Sequence, residues 1–161
     1  MKRFLAFACL TLLLPTAGYA ENKPKANEHL PSSGVEALSQ ELRSLLSQEM
    51  QALQNGMLSI IPAYVSGNWR EIESTARNIK NSYLLQQNLS KSQAQELHAK
   101  LPHAFIEQDQ RFHALGGKLE EAARNENPAQ INFYFSEMNA ACLNCHKDFA
   151  THRFPALTKK Q

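Results

Sequence analysis

The sequence predicts an all-α chain folded as an antiparallel four-helix bundle. Three observations predict it. Apolar residues recur at steps of three and four along four separate stretches, the spacing that lays a stripe along one helix face. Short polar turns separate those stretches, as in helices that pack against their chain neighbours. No alternating run of β-branched residues bounded by turn pairs is present. The chain has 161 residues, enough for one domain with a sizeable core. With 6 glycines, 7 prolines and 43% apolar residues, collagen-like and wholly disordered classes are excluded. The balance of 17 basic against 15 acidic residues is too even for a nucleic-acid binder with a broad basic surface.

The first helical segment is expected from Ser33, which forms a capping-box pattern with Glu36. Its stripe is Leu46, Met50, Leu53, Met57, Ile60 and Tyr64. Pro62 lacks a backbone donor and should kink or fray the last turn. Gly67 closes the segment. Asn68 opens the second, with Glu71 as its capping partner. Trp69, Ile72, Ala76, Ile79 and Tyr83 form its stripe, and the stretch 88–92 is a turn. Ser90 with Gln93 can start the third segment, and Pro102 marks a kink or a fresh start within it. Leu101, Phe105, Phe112, Leu115, Leu119 and Ala122 carry that stripe. Gly116 and Gly117 interrupt it, at about 1 kcal/mol each relative to alanine, so a close backbone approach or a break is expected there. Asn127 caps the fourth segment and Pro128 takes its first position. Ile131, Phe135, Met138, Cys142, Cys145 and Phe149 follow at steps of 4, 3, 4, 3 and 4.

The N-terminus reads as an export address. Lys2 and Arg3 precede an apolar run from Phe4 to Leu14, broken only by Thr11. Pro15 ends the run, and Gly18-Tyr19-Ala20 supplies small residues before a cleavage point at Glu21. The run is shorter than the ~20 apolar residues a spanning helix needs. Residues 1–20 are therefore expected to be a cleaved signal peptide, and the protein to be periplasmic. Removing 20 residues from 161 leaves 141. Lys2 and Arg3 account for the whole formal charge of +2, so the mature chain is neutral, and Cys9 leaves with the signal. Residues 21–34 read as a flexible polar segment, 35–156 as the helical domain and 157–161 as a tail.

Two cysteines stay in an exported chain, in the sequence Cys142-Leu143-Asn144-Cys145-His146. C-x-x-C-H is the attachment signature of a c-type haem. On a helix, residues three apart lie about 60° apart around the axis, and residues four apart about 40° to the other side. The two thiols and the imidazole therefore share one sector. The thiols can add to two vinyl groups while the imidazole binds iron. Other readings of the pattern exist. A thioredoxin-type pair wants a helix N-terminus, whereas this one lies near the end of a long helical stripe. A zinc site wants a second ligand cluster. A chance match on a core helix is the plainest alternative.

A single CLNCH motif on the last of four helices resembles the class II c-type cytochromes, the cytochrome c′ type. The resemblance covers roughly residues 35–154. It implies a four-helix bundle with one covalently bound haem c, thioether bonds from Cys142 and Cys145, and His146 as axial iron ligand. It further places the distal position at Met50, counted back from Gly67. Members with methionine there are electron carriers; members with an apolar residue have five-coordinate iron and bind nitric oxide or carbon monoxide. Met57 is a second methionine on the same stripe. The family commonly follows the motif histidine with an aromatic and then a basic residue. Phe149 keeps the aromatic, but Ala150 stands where the basic residue would be, and the next arginine is Arg153.

The resemblance thus implies a periplasmic electron carrier, with gas binding as the alternative. Redox proteins are the implied partners, and many relatives dimerise through their first two helices. No nucleophile elbow, phosphate loop or paired carboxylates appear, so no enzymatic activity and no catalytic residue are expected. His103 and His113 flank the third stripe and are expected to be exposed or locally satisfied, with His113 an outside candidate for a distal ligand or haem-edge contact. The Glu, Lys and Arg positions read mostly as solvated helix faces.

Overall fold

The structure, a computed structural model, describes residues 33–81 and 89–158. The signal peptide, most of the segment 21–34 and Tyr83 lie outside the described residues. Within them the chain is helical, with no strand. The described residues form five α-helices: α1 (Gln40–Val65), α2 (Trp69–Lys80), α3 (Lys91–Lys100), α4 (His103–Arg124) and α5 (Pro128–Phe149). Short 3-10 turns at Val35–Ala37 and Pro155–Leu157 flank them.

Most boundaries follow the local chemistry of the sequence. Asn68 Oδ1 accepts from the Glu71 N–H and starts α2. Ser90 and Gln93 form a complete capping box on α3. Asn127 accepts from the Gln130 N–H, and Pro128 opens α5. Pro102 is a fresh start: Leu101 turns to extended backbone, and α4 begins at His103. The expected start at Ser33 is corrected. Gly34 takes φ 98°, Val35–Ala37 form a 3-10 turn, and Ser39 caps α1 by accepting from Leu42. Ser33 fails as a cap because the chain must first bring Leu38 into the core. Pro62 does not end α1, which runs on to Val65. Ser66 then donates its backbone N–H and its hydroxyl to the Pro62 carbonyl, at 3.2 and 2.9 Å. Gly67, at φ 69°, makes the left-handed turn that lets Asn68 N–H reach back to the Ala63 carbonyl.

Helix α1 packs on α2, α2 on α4, and α4 on α5. Gly116 is where α4 meets the end of α2. A Cβ there would lie 3.1 Å from both Ile79 Cγ2 and the Lys80 backbone nitrogen. The close approach expected of the glycine pair thus belongs to Gly116; Gly117 faces only the Lys80 side chain.

The core has two parts. The larger joins Leu53, Met57 and Ile60 of α1 to Ile72, Ala76 and Ile79 of α2, Phe112 and Leu119 of α4, and Ile131 and Met138 of α5. The smaller joins Leu38, Leu42 and Leu46 to Leu101 and Phe105, with Cys145 and Phe149 packed against it. One charged position expected on a solvated face is buried instead. Glu120 accepts from Arg77, Lys80 and Arg124 at 2.9, 3.2 and 2.8 Å, which ties α4 to α2. The bonds from Arg77 foremost, and then Lys80, hold its carboxyl below the usual carboxylate range despite burial.

Candidate haem site

The motif lies in the last two turns of α5, a regular helix through Phe149. Ile131 and Met138 on the same face are fully covered, whereas Cys142, Cys145, His146 and Phe149 are only half-buried. The buried face therefore continues into the motif but is no longer closed by protein side chains. Cys142 packs on the larger core and Cys145 on the smaller one. The three groups thus straddle the boundary between the two clusters.

The electrostatics distinguish the chemical readings. Burial raises the pKa of both thiols, that of Cys145 to about 11, with nearby Asp109 adding to the rise. Both are free cysteines that stay protonated at neutral pH, unlike the activated thiolate of a redox pair at a helix N-terminus. Burial also lowers the affinity of His146 for a proton, leaving a neutral imidazole with a lone pair for a metal. Among the described residues no group of three or more His, Cys, Asp or Glu side chains is placed to hold a metal ion. Two thiols and one imidazole, half-covered on one helical sector between apolar clusters, fit a c-type haem.

One charged side chain at this level is buried beside the predicted apolar stripe. Glu49 is 1% exposed, whereas Met50 is 36% exposed. The expected place of Met50 on the buried seam is corrected: the inward stripe of α1 runs Leu42, Leu46, Glu49, Leu53. The flank that Met50 occupies is informative. Ser59 reaches Thr75 of α2, and Tyr64 donates to the Pro128 carbonyl at the start of α5. At about 100° per residue, Met50 lies roughly 40° from Tyr64 and 180° from Ser59. Met50 therefore edges α1 on its α5 side. Met57 is buried in the larger core.

His113 does not flank the core loosely. Its Nδ1 bonds the Ile79 carbonyl, and its Nε2 lies 3.4 Å from Asp109. Both partners are acceptors, so the ring satisfies them fully only as an imidazolium. Burial opposes that charge, but Asp109, the Ile79 carbonyl and Glu49 outweigh it, and the His113 pKa is raised. With both nitrogens engaged, this His113 has none free for iron. His103 is exposed beside Glu107.

Sequence reasoning missed Glu49, because a glutamate between stripe residues reads as a solvated position. Nor did it find Phe154, which lies stacked on His146 with ring centroids 4.6 Å apart and an interplanar angle of 16°. Its only signal was an aromatic eight residues after the motif histidine.

A groove of about 370 Å³ runs between α4 and α5. On α5 it is lined by Glu137, Ala140, Ala141, Asn144, Lys147 and Asp148, of which Ala141 and Asp148 lie about 40–60° around the helix from Cys145.

No family model, curated protein or solved structure matches this chain.

Proposed function

We propose that this chain is a monohaem c-type cytochrome of the class II kind, an antiparallel four-helix bundle that carries electrons in the periplasm. The observation that carries this reading is the half-covered C-x-x-C-H sector of α5, set between two apolar clusters. When bound, haem supplies a one-electron couple. Cys142 and Cys145 would hold it, each sulfur bonding a vinyl carbon while the thiol proton goes to the neighbouring carbon. His146 would be the axial ligand. Met50, on the α5 side of α1, is the proposed second ligand and would supply a thioether, a donor that favours electron transfer. Among the described residues no helix is long and apolar enough to cross a membrane, and export rests on the signal sequence at residues 1–20. Leu58, Ile61 and Val65 are exposed along α1, which supports a homodimer through the first helices. The remaining partners are redox proteins.

One observation favours the alternative, a five-coordinate haem protein that binds nitric oxide or carbon monoxide. Met50 is 36% exposed rather than held in the core. Visible spectra of the exported protein separate the readings. A c-type spectrum that survives denaturation, with one haem mass added to the chain, is the expected result. A chain without covalent haem overturns the proposal. Carbon monoxide binding by the reduced protein at neutral pH, unchanged in Met50→Ala, removes Met50 as ligand and selects the gas-binding reading.

A further inference from the structure

The chain after α5 is folded back by its own backbone. Ala150 N–H reaches the His146 carbonyl at 3.0 Å. Arg153 and Phe154 N–H both reach the Ala150 carbonyl at 3.0 Å, and Leu157 N–H reaches the Phe154 carbonyl at 2.9 Å. The turn lays the Phe154 ring nearly parallel to the His146 imidazole, 4.6 Å between centroids and 16° between planes. Phe154 belongs to neither core cluster, and 41% of it stays exposed. A phenylalanine placed there is not core filling. Its defined ring contact is the imidazole.

The imidazole needs such a contact. Torsion about the bond joining a histidine ring to its side chain is broad and roughly two-fold. Metal-binding histidines are ordinarily oriented by a hydrogen bond from the second ring nitrogen. Among the described residues no hydrogen bond reaches the His146 ring; its recorded contact is the stack. Stacked rings at this separation prefer defined offsets and so resist rotation.

We propose that Phe154 is a positioning residue for His146, fixing by stacking the rotation of the imidazole plane about its bond to iron. The inference rests on the haem reading above. The C-terminal turn is then part of the site, although it lies beyond the motif and beyond α5.

The test uses the purified holoprotein, with Phe154→Ala, Phe154→Leu and Phe154→Tyr beside the parent. Paramagnetic resonance of the ferric form reads the imidazole orientation, and the midpoint potential and thermal melting are recorded on the same samples. The Ala and Leu variants should give a shifted, broadened ferric signal and a displaced potential. Tyr retains the ring and should restore the parent signal. Leu keeps apolar bulk, which separates orientation from covering. A signal and potential unchanged in Ala and Leu, with melting alone lowered, overturns the inference and leaves the haem reading intact. A chain that carries no covalent haem overturns both.

Discussion

The two halves of the helix assembly are closed in different ways. At one end Ile60, Ile72, Ile79, Leu119, Ile131 and Met138 are each at most 1% exposed and form one apolar cluster. At the other end the smaller cluster leaves Cys145 and Phe149 half-covered, and α1 turns Glu49 inward beside an exposed Met50. The first half is a core built from side chains alone. The second is a surface with one apolar sector, two half-buried thiols, an imidazole and charges at its margin. Helix α5 belongs to both, closed in its first half and half-open in its last turns.

The largest expected effect tests that contrast within α5 itself. Met138→Ala opens a cavity in the closed half and should cost about 2–5 kcal/mol. Leu143, five residues on, is 44% exposed, and Leu143→Ala should cost less than about 1 kcal/mol. Urea denaturation of the purified protein measures both. Equal losses would break the distinction between the halves.

A smaller effect is expected where α4 touches α2 in the closed half. Gly116→Ala pushes a methyl group to 3.1 Å from the Lys80 backbone nitrogen and from Ile79 Cγ2. Backbone cannot yield as a long side chain can, and a loss of about 1–3 kcal/mol follows. Gly117→Ala meets only the flexible Lys80 side chain, 3.5 Å away at its nearest. It should be neutral, or stabilising by up to about 1 kcal/mol through helix propensity. Thermal melts of the two variants compare them directly. A destabilising Gly117→Ala would show that the approach of α2 is wider than one glycine.

Much of this was legible in the sequence. The stripes, the caps at Asn68, Ser90 and Asn127, and the restart at Pro102 are local patterns, and local hydrogen bonds decide them. The C-x-x-C-H motif is also local, since helical geometry alone brings Cys142, Cys145 and His146 into one sector. What could not be read depends on which element lies opposite. Periodicity placed Met50 inward because it is apolar, yet Glu49 is the residue facing inward. Only tertiary contact with α2 shows why Glu120 is buried, because Arg77 and Lys80 come from 43 and 40 residues away in the chain. Phe154 reaches His146 through a turn that no stripe describes.

The smallest effect concerns the margin between the halves, where His113 lies against the C-terminal end of α2 and bonds the Ile79 carbonyl. Its pKa is raised in the folded chain, because Asp109, the Ile79 carbonyl and Glu49 outweigh the cost of burial. The sign follows from that direction. Folding takes up a proton at this ring, so the stabilisation is fully present below about pH 6.5, the unfolded value. It is lost as pH rises through the raised folded value. A cation at a helix C-terminus contributes about 1 kcal/mol in a partly buried setting. His113→Gln keeps a donor for the Ile79 carbonyl but carries no charge. Its stability relative to the parent should therefore be lowest under mildly acid conditions and recover as the solution becomes alkaline. Denaturation at a series of pH values reads the difference. A gap that stays constant across that range would mean that His113 is neutral, with Nδ1–H donating to Ile79 and no proton shared with Asp109.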